Sequence, residues 1–317
     1  ARLMPDDIYG EWLSSREESC SKVKSRQLFK GKRAFVGAVA APLALFYVTF
    51  SWFPMLYSLV LSFTRLEGFA LDAHFVGLAN YRDLVADPDM AAALWNTLKF
   101  VVARMGLGIP FSFLLALLIN SVPEKPQEVF KTAYFMPVMT SAVAVATIWK
   151  WLYHPQFGFF NQILELLGFQ PIPWLFSSRT ALMSCVFMNI WHGSGFTTLI
   201  FLAGLKSIPS MYYEAARIDG ASRWHLFSRI TLPLIQPTLI YVLVVGLIGT
   251  FQVFDDVYLL TGGGPGNSTL LLGLLIYSTA FKWMRFGYGS AIAFVLFVII
   301  LILTLIQLRT TRLRWSY

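Results

Sequence analysis

The residues able to do chemistry in this chain sit inside apolar runs. Asp255 and Asp256 stand in one such run with Thr250, Gln252 and Tyr258 close by, and Asn189, Trp191 and His192 stand in another. Ionisable groups in such surroundings are costly and face a cavity or a partner, so their chemistry is the binding of an ion, a proton or a polar solute. At i, i+3 and i+4, Gln252, Asp255 and Asp256 are expected to share one helix face. Amides and aromatic faces such as Asn189 and Trp191 suit sugar hydroxyls and rings. The competing reading for each residue is an interhelical hydrogen bond or a contact with a partner. Lys99, Arg104 and Lys150 lie in or beside apolar runs as well. Snorkelling to headgroups accounts for Lys99 and Lys150, whereas Arg104 stays open between that role and an anionic solute.

Other chemistries find little support. "TGGGPGNST" (Thr261–Thr269) invites a phosphate-loop reading, but it lacks the Gly-Lys-Ser/Thr ending whose lysine reaches the phosphates. This chain is therefore expected to bind no nucleotide, and no cofactor or metal of its own. Asn267-Ser268-Thr269 also matches a glycosylation sequon, read as coincidence. The two cysteines, Cys20 and Cys185, form no C-x-x-C or zinc pattern. Four scattered histidines supply no convergent acid, base or metal set, which argues against a membrane-embedded transferase.

The elements that position these groups follow from composition. Of 317 residues, 56% are hydrophobic and 13% charged, where a soluble domain carries about 25% charged. Such a chain cannot clothe itself in polar surface, and it reads as all-α and polytopic. Six apolar segments are long enough to cross the hydrocarbon core, at about 20 residues each: 35–63, 98–118, 133–152, 181–205, 237–260 and 289–308. Residues 1–34 make a basic tail that suits anchoring on anionic lipid, residues 35–308 the six-span domain, and 309–317 a second tail. No cleavable signal peptide is expected.

Orientation follows from lysine and arginine. With the N-terminus inside, the inner segments 1–34, 119–132, 206–236 and 309–317 hold 17 basic residues, and the outer segments hold 5. Both termini are expected to be cytoplasmic. The outer segments read as ordered caps, one broken at Asp87-Pro88 and one holding a short amphipathic helix between Pro155 and Pro171.

The inner segment 206–236 is the most informative. "EAARIDGASRWHLFSRITLP" (Glu214–Pro233) carries three arginines, a glutamate, an aspartate and a histidine between two apolar runs. It reads as helix, bend at Gly220 and second helix, with Trp224, Phe227 and Ile230 at three-residue spacing. Such a stiff, charged pair suits docking into a groove; the bland alternative is a solvated loop.

The pattern E-A-A-x-x-D-G-A followed by I-x-L-P resembles the coupling motif of ABC-importer permeases, with Glu214, Ala215, Ala216, Asp219, Gly220, Ala221, Ile230, Leu232 and Pro233 in place. "FVGLANYRDL", "NTLKF", "FDDVYLLTGGGP" and "IYSTAF…GYGSA" extend the likeness to the sugar-uptake branch, typified by maltose and glycerol-phosphate permeases, over residues 75–300. The resemblance implies a type I importer permease fold and coupling through Glu214, Ala215, Ala216, Asp219, Gly220 and Ala221. It also implies sugar-contacting positions on the fifth span, which Thr250 and Gln252 match.

The implied partners are two ATPase subunits that use ATP and Mg, a substrate-binding protein (periplasmic or lipid-anchored) and a second permease. Family habit makes that permease homologous rather than identical, although the residues leave a homodimer open. No nucleic acid is expected; the location is the bacterial inner membrane. The substrate stays open among a neutral oligosaccharide, an acidic one and a glycerol-phosphate diester. An ion-coupled carrier using Asp255 and Asp256 is the alternative, disfavoured by the lack of an inverted repeat.

Overall fold

A computed structural model describes residues 37–68 and 73–311, the Glu124 side chain excepted. The expected basic tail 1–34, with Cys20, and the last residues of the C-terminal tail lie outside the described residues.

Contacts divide the chain at residue 60 into two units. The described part of the first is one apolar helix, α1 (Gly37–Ser62), which runs past the boundary and is long enough to span a bilayer. The second unit holds everything else. It opens with a two-residue hairpin, β1 (Thr64–Arg65) on β2 (His74–Phe75). Buried Asn80 donates to the Ser62 and Thr64 carbonyls at 2.8 and 2.9 Å, and so satisfies backbone groups freed where α1 ends.

Helix α2 (Ala79–Ala86) stops at Asp87-Pro88, the break expected from the sequence. Asp87 then caps α3 (Pro88–Asn120), its side chain accepting from Asp89 N at 2.8 Å with Pro88 in the first turn. At 33 residues, α3 is about 50 Å long, so the stretch "MAAALWNT" extends the second span rather than belonging to the outer cap. Helices α4 (Glu124–Met139) and α5 (Ala142–Leu152) follow, then the short cap helix α6 (Phe159–Leu166). The chain continues through α7 (Ala181–Lys206), α8 (Ser210–Ile218), α9 (Arg223–Leu234), α10 (Gln236–Phe251) and α11 (Asp255–Leu260). Helices α12 (Leu272–Lys282) and α13 (Phe286–Thr310) complete it.

Four helices cross by length and composition: α1, α3, α7 and α13. Two bent pairs, α4–α5 at 97° and α9–α10 at 58°, bring the number to six when each counts as one span. The all-α, six-span reading therefore holds, with two differences. The third span is sharply bent at Thr140–Ser141, and the fifth is interrupted. Gln252 ends α10 at φ −93°, ψ 5°, and α11 starts only after Phe254 at φ −135°, ψ −60°.

Helix α3 organises the second unit. Its Phe100 packs with Val145, Trp149, Cys185, Met188 and Val257 from α5, α7 and α11. Its Ala93 and Val101 join Phe251, Leu274, Tyr288 and Ile292 from α10, α12 and α13. Its Ile109, Ala116 and Ile119 meet Phe201, Leu205 and Val242 from α7 and α10. Buried Gly195 lets α7 lie directly against the α4 backbone: a Cβ there would collide with the Tyr134 carbonyl and come within 3.2 Å of Phe135 Cα.

Candidate functional site

A groove of about 340 Å³ opens between α3, α7 and α10. From the expected set, Asn189 and Thr250 line it; Arg104 and Gly193 do as well. Gly246 and Gly249 lie at i, i+3 on the α10 wall, where the lack of side chains widens the groove. Thr250 is buried and donates to the Gly246 carbonyl at 2.6 Å, so it presents little more than its methyl and a lone pair.

Behind the groove lies a chain of polar groups crossing three spans. Arg104 Nε donates to Asn189 Oδ1 at 2.7 Å, and Asn189 Nδ2 donates to Asp256 Oδ2 at 2.6 Å. The other Asp256 oxygen is 3.4 Å from His192 Nδ1. His192 is also within reach of the Thr140 carbonyl, at the bend between α4 and α5. The polar contacts thus meet where the third and fifth spans are broken, which is where backbone groups inside a membrane need partners.

The other expected residues go elsewhere. Trp191 turns from Asn189 and packs on Trp149, ring centroids 5.6 Å apart. The interruption after Phe251 separates Gln252 from the carboxylates, so Gln252, Asp255 and Asp256 do not share one helix face: Gln252 and Asp255 are exposed while Asp256 is buried. Tyr258 joins an aromatic cluster, stacked on Phe254 at 5.2 Å and near Tyr277 at 5.3 Å, with Lys282 Nζ 5.0 Å above its ring. Sequence reasoning did not assemble Arg104 with Asn189; the available signal was a lone arginine well inside an apolar run.

The glycine-rich segment 261–269 is a pinned turn. Gly262, Gly263, Gly266 and Asn267 adopt positive φ. Asn96 of α3 donates to the Asn267 and Leu270 carbonyls at 2.8 and 3.3 Å, and Asn267 Nδ2 reaches Asp89 Oδ1 at 2.7 Å. These bonds hold the turn to α3, while the Thr261 and Thr269 hydroxyls bond each other at 2.7 Å within it. Among the described residues no three His, Cys, Asp or Glu side chains converge at metal-binding distance.

The segment 210–234 is helix, bend and helix. Gly220 takes φ +77°, a conformation that costs an L side chain, and Ser222 caps α9 by accepting from His225 N. Tyr213 and Thr231 join the two helices through their hydroxyls at 3.0 Å. Phe227 lies 6.3 Å from Phe113 of α3, ring to ring. The apolar stripe divides accordingly: Phe227 and Ile230 turn inward, and Trp224 stays exposed. Glu214, Ala215, Asp219 and Gly220 are exposed, Ala216 and Ala221 partly so, and Met211 and Ile218 add apolar surface, Ile218 being 87% exposed.

Residues 108–312 match the family described as binding-protein-dependent transport system inner membrane component. The chain is 37% identical over 287 residues to the arabinooligosaccharides transport system permease protein AraP of Bacillus subtilis, covering 90% of each. It is 34% identical to the trehalose/maltose transport system permease protein MalF of Thermococcus litoralis, over 86% of this chain and 92% of that one. A chain in the crystal structure of a bacterial alginate ABC transporter, in complex with an alginate pentasaccharide-bound periplasmic protein, superposes with a TM-score of 0.80 at 25% identity. That match covers 90% of this chain and 98% of the other. The chain therefore belongs to the family of inner-membrane components of binding-protein-dependent transport systems.

Proposed function

We propose that this chain is one permease half of an ATP-driven importer for a sugar of oligosaccharide size, with both termini on the cytoplasmic side. Relatives that act on arabinooligosaccharides, trehalose and maltose support the substrate class. A groove that is walled on one side by α3, α7 and α10 calls for a facing surface, which a second, homologous permease supplies. A binding protein delivers the sugar on the outer side, and two ATPase subunits hydrolyse ATP with Mg on the inner side.

The α8–α9 pair carries this reading. It is an exposed helical hairpin in which Glu214 makes no ion pair among the described residues and Met211, Ile218 and Trp224 are uncovered. Burial of one such large apolar side chain contributes about 1.5–3 kcal/mol, which favours docking over a solvated loop. The pair is stiff as well, through the Tyr213–Thr231 bond and Phe227 on Phe113. Because α9 runs directly into α10, and α10 lines the groove, a displacement of the docked pair re-angles the groove wall. That is coupling through one rigid element. No observation favours the ion-coupled alternative: Asp256 is already held by Asn189 and His192.

The test is Glu214→Lys in the complete importer, reconstituted in vesicles. The variant is expected to insert at wild-type levels, since Glu214 is exposed, and to lose binding-protein-stimulated ATP hydrolysis and uptake by about tenfold or more, as reversal of an interface charge does. Uptake that persists and follows an ion gradient would overturn the reading.

A further inference from the structure

We propose that Arg104 reads an anionic group on the passing solute, so that the sugar carried is an acidic oligosaccharide bearing carboxylates. The inference rests on the groove being the translocation path.

Among the described residues, Arg104 is the only charged one lining the groove. Among the described residues its guanidinium makes one hydrogen bond, from Nε to Asn189, and no ion pair. Asp256 does not take up the fork. Its two oxygens serve Asn189 and His192, so it balances charge from behind the amide and leaves Nη1 and Nη2 without an acceptor. Two glycines make room for those nitrogens. A Cβ at Gly108 would collide with Nη1, and one at Gly193 would come within 2.9 Å of Nη2. Gly193 also lines the groove, which places the Nη2 edge at its wall.

The result is a guanidinium oriented by an amide, cradled by glycines and left with free N–H donors beside a largely apolar groove. Its planar fork matches a carboxylate through two parallel bonds, a geometry that lysine does not reproduce. Sugar hydroxyls accept one bond at a time and compensate the charge poorly. An intramembrane arginine is expensive to maintain and marks a solute pathway when it faces a cavity. Snorkelling does not describe Arg104, because it stands at the middle of α3 (Pro88–Asn120) with its guanidinium held between Gly108 and Gly193.

The experiment uses the complete importer in proteoliposomes with its binding protein. Uptake is compared for uronate oligosaccharides and for the same oligosaccharides with each carboxyl reduced to the alcohol. The chains are wild type, Arg104→Met, Arg104→Lys and Gly193→Ala. Because the binding protein is constant, the change in the acid-to-neutral ratio between permeases isolates the membrane step. Arg104→Met is expected to lower that ratio by about 10–100-fold, the range for one charge-assisted contact. Arg104→Lys should fall between, and Gly193→Ala should lower the ratio by displacing the fork while keeping the charge. If Arg104→Met does not insert, the lysine and Gly193 variants carry the test. An unchanged ratio in the variants that insert overturns the role of Arg104 and leaves the importer reading intact. A wild-type complex that moves only the reduced sugars does the same. A complex that moves neither sugar overturns the sugar-importer reading, and this inference with it.

Discussion

Asn189 Nδ2 donates to Asp256 Oδ2 across 2.6 Å, joining the middle of α7 to the first turn of α11. The same amide accepts from Arg104 on its other side. One neutral side chain therefore separates a cation and an anion that would otherwise be drawn together, and it holds the interrupted fifth span against the fourth.

Replacing Asn189 with leucine keeps the branched shape but leaves Arg104 Nε and one Asp256 oxygen without partners. Interhelical hydrogen bonds in membranes average about 0.6 kcal/mol, whereas stranding charged groups costs about 1–3 kcal/mol. The second effect dominates here, because both stranded groups are ionisable. Thermal unfolding in detergent should show a loss in that upper range; a loss below about 0.5 kcal/mol would mean that the chain of bonds is not cohesive.

The glycines of the spans divide sharply. Gly195→Ala drives a methyl group into the Tyr134 carbonyl, and backbone cannot yield as a side-chain tip does. We expect α4 to be pushed off α7, with strongly reduced accumulation in the membrane. Gly106 has open space around its Cβ position, so Gly106→Ala should be neutral, or stabilise by up to about 1 kcal/mol through helix propensity. Equal effects of the two substitutions on folded yield would refute the close approach of α4 and α7.

Asn161 organises the loop that follows α5. It is 1% exposed and donates to the Pro155 and Ile172 carbonyls at 2.9 and 3.0 Å. Its Oδ1 accepts from Ile172 N and Trp174 Nε1 at 3.0 and 2.9 Å. Asn161→Asp removes both donors and sets a carboxylate against two carbonyls. The expected loss is about 2–4 kcal/mol, detected as faster proteolysis between residues 155 and 180 at unchanged membrane insertion. Wild-type resistance to protease would show that the loop is held by other contacts.

Much of this architecture was legible in the residues because the hydrophobic effect writes span length directly into composition. Six apolar runs, the Asp87-Pro88 break, the short helix before Pro171 and the bend at Gly220 all reappear, since each depends on local chemistry. The helix-bend-helix form of the segment 210–234 was equally legible, because a positive-φ glycine and a serine cap act locally. The polar residues inside the spans were harder to place. Trp191 and His192 are adjacent in sequence, yet one packs on Trp149 and the other meets Asp256.

The sequence by itself determined that this is an all-α membrane protein with six spans, and where its charged helical hairpin lies. Periodicity, proline and glycine act over one or two turns and need no distant partner. Only the tertiary structure decided that the fifth span stops at Gln252 and restarts at Asp255. No proline or glycine marks that break. It follows from the packing of α11 against α5 and α7 and from the close approach of Gly273 to the Val253 carbonyl, where a Cβ would come within 3.0 Å. The same packing brings Arg104, Asn189 and Asp256 together across 152 positions of chain, a meeting set by which helix faces have to be buried rather than by any local preference.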